Sequence, residues 1–433
     1  MNAPREPSQE TGTPHARGPL AGYRVLELGS TVAGPFCGRL LADFGAHVIK
    51  VEPGEGDPVR TMGKRFAGKS LYASSIFRNK SLICVDLRTP EGQDIVRALA
   101  ARCDAVVENF RPGGLEKWGL GYDRLSALNP ALIMVRISGF GQTGPYSQRP
   151  GYGVIGEAMS GVRHVTGDPD RPPARVAVSM TDYITGLYAA FGAVMALLAR
   201  QRTGRGQVID AALYECAFSF MEPWIAAYEK LGHVAHRMGS RLPDSTPNNL
   251  YPTGDGQFIH ITAMSDAIFR RLATAMDQAE LVADARFATA TQRSAHHEAI
   301  DAIVAAWTAR QPLAALEATL ERHGVPATRI FTMADIFRDP HYSARQSIVA
   351  APDDELGTVS MAAVVPRLSE TPGEVVHSGH RIGQDTRAIL RDLLALDDAR
   401  IDALAQAQII RCDTAMQPVD EREPSECDQP GVG

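Results

Sequence analysis

From residue 23 the chain alternates short apolar runs with stretches of helical spacing. Residues 23–28 (YRVLEL) have the two-residue alternation of a half-buried strand, 36–44 (FCGRLLADF) repeat apolar positions every three to four residues, and HVIKV from His47 reads as a second strand. Ser30 and Thr31 are placed to cap the intervening helix, and Gly45 to stop it in a left-handed conformation. The same alternation recurs with strands at 81–87, 104–109 and 132–138 and helices at 90–101 and 122–128. A short strand at 175–178 then leads into an apolar helix at 183–200, and the turn TGRGQ at 203–207 opens the strand VIDAAL. Such alternation predicts an α/β fold: one open parallel sheet with helices on both faces, over residues 19–215.

The pattern changes at 232–251, a polar, Pro-containing stretch without periodicity, which reads as a domain crossing or an active-site loop. Beyond it a strand at 257–262 and helices at 268–276, 296–309 and 312–323 predict a smaller α+β domain over 216–340. Strand-like alternation returns at 348–365, followed by a capped helix at 385–394. Residues 1–18 and 413–433 have little to bury and read as disordered tails.

Composition narrows the class. Hydrophobic residues make up 44% and charged residues 22%, so a folded globular protein is expected. The net charge of −6 argues against nucleic acid as a partner. No stretch approaches the roughly 20 uninterrupted apolar residues of a membrane helix, so no membrane is expected. The start lacks the basic-then-apolar order of a secretory signal, and the six cysteines contain no Cys-x-x-Cys pair. Reduced thiols and a cytoplasmic location are the expectation.

Several chemistries fall away on spacing. The first loop, GSTVAG at 29–34, has Thr31 where a dinucleotide fingerprint needs its second glycine, and Pro35-Phe36 where a phosphate loop needs Lys-Ser/Thr. What survives is a helix N-terminus at a strand edge, a place suited to an anionic ligand. His233 and His236 lack a companion at metal spacing, and no metal is expected. VENFRPGG at 107–114 ends a strand and aims Arg111 and nearby Lys117 off the carboxyl edge of the sheet. Arg88 lies at the end of what reads as the neighbouring strand. Three cations there suit a polyphosphate, or serve only surface ion pairs. In SMTDYITG at 179–186, Asp182 stands at a strand-to-helix junction. It is either an N-cap or a carboxylate able to attack an activated acyl carbon.

Five segments in this order, PLAGYRVLELGSTVAGPFCGRLLADFGAHVIKVE, VENFRPGGLEKWGLGYDRLSALNP, SGFGQTGPYSQRPGY, TDYITGLYAA and TGRGQ, resemble the class III CoA-transferases over residues 20–394. That family includes formyl-CoA transferase, carnitine CoA-transferase, succinyl-CoA:dicarboxylate CoA-transferases and α-methylacyl-CoA racemases. The resemblance implies a Rossmann-like large domain completed by a return segment at 341–412, a small domain, and two chains interlocked as a homodimer. It implies the nucleophile role for Asp182. It further implies CoA contacts at Val32, Ala33, Arg88, Asn109, Phe110, Arg111 and Lys117, and a thioester border at Gly151 and Tyr152. Coenzyme A is then a co-substrate, with no permanently bound cofactor.

Departures from the family narrow the substrate. Val32 stands where formyl transferases have Gln, and GSRLPDSTPNN at 239–249 replaces their glycine-rich run. Tyr152 replaces the catalytic His of the racemases. The expected reaction therefore moves CoA from a short acyl-CoA, succinyl-CoA foremost, to a carboxylic acid, a dicarboxylate foremost. A distal carboxylate needs a cation, for which Arg237 and Arg241 are the candidates, unless both are only solvated loop residues. Two alternatives stay open: an acyl-CoA racemase or epimerase, and a noncatalytic CoA-binding subunit paired with a related chain.

Overall fold

In the computed structural model, which describes residues 17–413, seven strands form the main sheet. They lie in the order Ile410–Arg411, Lys80–Val85, His47–Glu52, Arg24–Glu27, Ala105–Glu108, Ile133–Ser138 and Val208–Ala212. All neighbours run parallel except the edge strand Ile410–Arg411, which pairs antiparallel with Lys80–Val85. Setting that edge aside, the chain order across the sheet is 3-2-1-4-5-6, the doubly wound arrangement. The order reverses between Arg24–Glu27 and Ala105–Glu108, and Leu28 N still donates to Val107 O at 2.8 Å beyond them. A parallel sheet covered on both faces explains the short apolar runs. Leu26, Ile49, Ile83, Val106 and Met134 share one core with Leu99 of helix Pro90–Ala100 and Leu390 of helix Thr386–Leu394.

This sheet belongs to a unit made of residues up to 151, 182–213, and from 349 onward. Its last segment is tied in by buried and part-buried polar contacts. Asp385 accepts from Leu82 N at 2.6 Å, Thr386 Oγ1 from Cys84 N at 3.0 Å, and Asn79 Nδ2 donates to Glu374 O at 2.8 Å. Arg78 holds Asp43 through Nε and Nη2 and reaches Ala362 O through Nη1.

The second unit comprises 152–181 and 214–348. Its antiparallel sheet runs Ala327–Arg329, Phe258–Thr262, Asn248–Pro252. Ile259, Ile261, Phe269, Leu272, Val304 and Leu316 form its core with helices Asp266–Ala275, His297–Thr308 and Leu313–Arg322.

Four local expectations are corrected. Residues 175–178 form no strand, and the apolar helix starts earlier, as Met180–Thr203. Residues 152–181 cluster with the second unit, not with the large domain, because their backbone is engaged by the 232–251 stretch. The His164 ring meets Ala235 O at 3.1 Å, Gly239 N donates to Gly167 O at 3.0 Å, and Arg237 donates to Asp168 O and His164 O. That stretch itself ends in the strand Asn248–Pro252. Its polar residues are satisfied sideways, Asn249 Nδ2 and Tyr251 Oη both donating to Asp301, so no alternation marks it. Finally, neither Ser30 nor Thr31 caps the first helix, Ala33–Asp43; its N-cap is Val32, with no side-chain capping bond. The predicted tails, all but Arg17, Gly18 and Asp413, lie outside the described residues.

Candidate active site

The first loop lies at the point where strand order reverses, and its backbone is held by side chains from elsewhere. Asn109 clamps Ser30 twice, accepting from its N–H at 2.7 Å and donating to its carbonyl at 2.9 Å. Thr31 adopts the left-handed conformation at φ 69, and its N–H donates to Asp57 Oδ1 at 3.0 Å. Gly29 and Gly34 pack against each other, a Cβ on either coming 3.1 Å from the other's Cα. Val32 is buried among Val59, Ala73, Ile76, Phe77 and Leu82, and Ala33 is buried at the head of the helix. The first amides of that helix have no acceptor a turn earlier within it.

Asp182, half-buried, is the third residue of helix Met180–Thr203, inside the first turn and not at the N-cap. The helix approaches the first loop at Gly186, where a Cβ would sit 2.8 Å from Ala33 O and 2.9 Å from Phe36 Cδ1. Only a residue without a side chain allows that approach, and Asp182 lies one turn upstream of it. Next to Asp182, Tyr183 meets Phe36 edge-on at 4.7 Å, and its hydroxyl shares a hydrogen bond with the Tyr72 hydroxyl at 2.9 Å. Burial, that hydrogen bond and the nearby Tyr183 and Asp182 push the Tyr72 hydroxyl well above its ordinary pKa.

The cations are not gathered as expected. Arg111 and Lys117 are both exposed on the segment that follows strand Ala105–Glu108; Lys117 lies in the short helix Glu116–Trp118, and Phe110 packs edge-on against Trp118 at 5.4 Å. Arg88 does not follow a neighbouring strand. Its strand is separated from Ala105–Glu108 by His47–Glu52 and Arg24–Glu27, three strand spacings or roughly 14 Å. Arg88 is also occupied locally, its Nε donating to Asp86 Oδ1 at 2.8 Å.

Gly151 makes close backbone contact with Gly139, where a Cβ on Gly151 would come 2.7 Å from Gly139 Cα. In the second unit Tyr152 is 73% exposed as the N-cap of helix Gly153–Met159. Arg237 is spent on the carbonyls of His164 and Asp168 at 3.2 and 3.1 Å. Arg241 meets Asp301 only at 3.9 Å and lines a cavity of about 270 Å³ with Trp224, His233, His236 and His297.

Residues 20–386 match the CoA-transferase family III. The chain belongs to this family. It is 51% identical over 394 residues to succinyl-CoA–D-citramalate CoA-transferase of Chloroflexus aurantiacus, covering 90% of this chain and 98% of that one. It is 40% identical over 397 residues to the β subunit of succinyl-CoA–L-malate CoA-transferase from the same organism, again covering 90% and 98%. Among solved structures, a CaiB/BaiF family protein from Brucella suis superposes with a TM-score of 0.78 at 38% identity, over 87% of this chain and all of that one. The chain is thus a CoA-transferase, and CoA thioesters are its co-substrates.

Three features of this transferase escape sequence reading. Tyr72 lies on helix Leu71–Ile76, in no motif. Asp57 and Lys50 reach the first loop from 26 and 21 residues away, and no local pattern announces such contacts. For Asn109, its position in VENFRPGG was the signal, although its bonds go to the protein's own loop.

Proposed function

We propose that this enzyme moves CoA from succinyl-CoA to a dicarboxylate through a thioester on Asp182. The observation that carries the reading is the placement of Asp182 in the first turn of a helix that closes, at Gly186, on the head of the first helix at the sheet's switch point. Asp182 attacks the succinyl carbonyl, giving a mixed anhydride and releasing CoA thiolate. The thiolate attacks the aspartyl carbonyl, succinate leaves, and an aspartyl-CoA thioester remains. The acceptor carboxylate then runs both steps in reverse. Each exchange replaces one acyl bond by another of similar energy, so neither ATP nor a metal is required.

In this reading the first loop at Val32 and Ala33 and the segment Asn109, Phe110, Arg111 and Lys117 receive CoA, while Arg88, held by Asp86 and three strand spacings from Ala105–Glu108, has a peripheral share. Gly151 and Tyr152 border the thioester. Of the two acceptor candidates we favour Arg241, whose guanidinium donates no hydrogen bond among the described residues, over Arg237, which is tied to two carbonyls. The dicarboxylate class rests on the relatives named for citramalate and malate. Steady-state assays with succinyl-CoA and a panel of acids test it. Turnover with dicarboxylates well above monocarboxylates of equal length is expected, and α-deuterium exchange of an acyl-CoA without any acceptor would favour the racemase reading instead.

We further propose a homodimer in the cytoplasm. Support for the dimer comes from helix Met180–Thr203, apolar and long enough to cross a membrane. Leu187, Phe191, Val194 and Leu198 stand exposed along it at spacings of four, three and four residues, a stripe a second copy could cover. A relative that is one subunit of a two-chain enzyme keeps a heteromer with a related chain as the alternative. The cytoplasm accords with the free thiols of Cys37, Cys84, Cys103, Cys216 and Cys412.

A further inference from the structure

Beneath the first loop lies a closed set of buried charges. Glu27, Lys50, Asp57 and Lys80 are each at most 2% exposed. Lys80 Nζ donates to Glu27 Oε2 at 2.6 Å, and Lys50 Nζ lies 2.9 Å from Asp57 Oδ2 and 3.4 Å from Glu27 Oε1. The cluster is neutral, which is the condition for burying four charges without several kcal/mol per unpaired ion. Replacing such clusters by apolar residues is often neutral or stabilising, so stability alone gives little reason for one here.

What the cluster does is geometric. Lys50 Nζ also donates to Gly29 O at 2.6 Å, where the loop begins, and Lys80 Nζ to Pro35 O at 2.7 Å, where it has entered the helix. Asp57 takes the N–H of Thr31, the residue at φ 69. A β-branched residue in that region is strained and persists only where its surroundings over-determine it. Asp57 is itself fixed, its N–H donating to Glu52 Oε1 at 2.9 Å and its Oδ1 accepting from Val59 N at 2.9 Å. Glu52 in turn is gripped by Arg60 through Nε at 2.8 Å and Nη2 at 2.6 Å.

We propose that Lys50 and Asp57 are positioning residues for CoA, holding Gly29 and Thr31 so that the loop from Thr31 to Gly34 is preorganised for the ligand. They touch no substrate and act through the backbone. The inference rests on the reading that CoA binds at this loop. Calorimetric titration of the full-length protein with CoA, on wild type, Asp57→Asn, Asp57→Ala and Asp57→Ala with Thr31→Gly, tests it. Asp57→Ala weakens CoA binding about tenfold, Asp57→Asn weakens it less, and KM for the acceptor acid stays within about twofold. Adding Thr31→Gly restores CoA affinity to within about threefold, because glycine reaches φ 69 without a side-chain penalty. A merely structural role predicts a lower melting temperature that Thr31→Gly does not repair, with CoA affinity unchanged in whatever folds. Should Asp57→Ala fail to fold, Asp57→Asn with and without Thr31→Gly supports the same comparison. Wild-type binding of CoA with undiminished affinity in the Asp57 variants overturns this proposal alone. A wild type that does not bind CoA overturns the reading beneath it as well.

Discussion

Lys80 is completely enclosed, and burial, offset in part by Glu27 and reinforced by Lys50, pushes its pKa down to about 8 from the ordinary 10.5. Between those two values the unfolded chain binds a proton that the native state has released, so this group adds stability as pH rises through that window. Below about pH 8 it is charged in both states, and its full cost to the fold is present. The melting temperature of wild type relative to Lys80→Met is therefore expected to rise between pH 7.5 and 10. A flat or falling difference contradicts a lysine titrating near 8. At the same scale, the two loop arginines part company. Arg241→Ala should reduce the preference for a dicarboxylate over a monocarboxylate of equal length by about tenfold, as for a lost charged hydrogen bond. Arg237→Ala should leave that preference within about twofold. Equal losses in both would mean that the tether of Arg237 to His164 and Asp168 is given up when substrate binds.

Elements divide the candidate CoA contacts in a way spacing could not. Arg111 follows a strand at the switch point, whereas Arg88 follows one three strand spacings away and is held by Asp86. Arg111→Ala is expected to raise KM for acyl-CoA severalfold with little change for the acid, and Arg88→Ala to move neither by more than about twofold; a larger effect from Arg88 would refute this ranking. The error had a physical source. Short, mostly apolar runs marked the buried strands His47–Glu52, Lys80–Val85, Ala105–Glu108 and Ile133–Ser138, because each is covered on both faces, and two-residue alternation marked Arg24–Glu27. Which strands adjoin is a nonlocal matter that such runs do not encode. Ile410–Arg411 is too short to carry any pattern, and Asn248–Pro252 hides behind polar residues bonded to Asp301. The site divides likewise. Asp182 stood in a legible motif, but its residues alone left N-cap and nucleophile open. Lys50, Asp57 and Tyr72 act through contacts between distant segments and left no trace in spacing.

At the scale of the whole molecule, the exposed stripe Leu187, Phe191, Val194 and Leu198 makes assembly the next question. Phe191→Asp places a charge within it, and light scattering should then report a monomer where wild type gives a dimer, with transfer activity lost alongside. A wild type that remains a folded, active monomer on dilution would remove the case for a homodimer. The central claim, covalent catalysis by Asp182, has a more direct test. After incubation with succinyl-CoA, intact mass followed by peptide mapping should find CoA joined to Asp182. Asp182→Ala and Asp182→Asn should show no adduct and at least about a thousandfold less turnover at an unchanged melting temperature. A CoA adduct on another residue, or turnover retained in Asp182→Ala, would contradict the account.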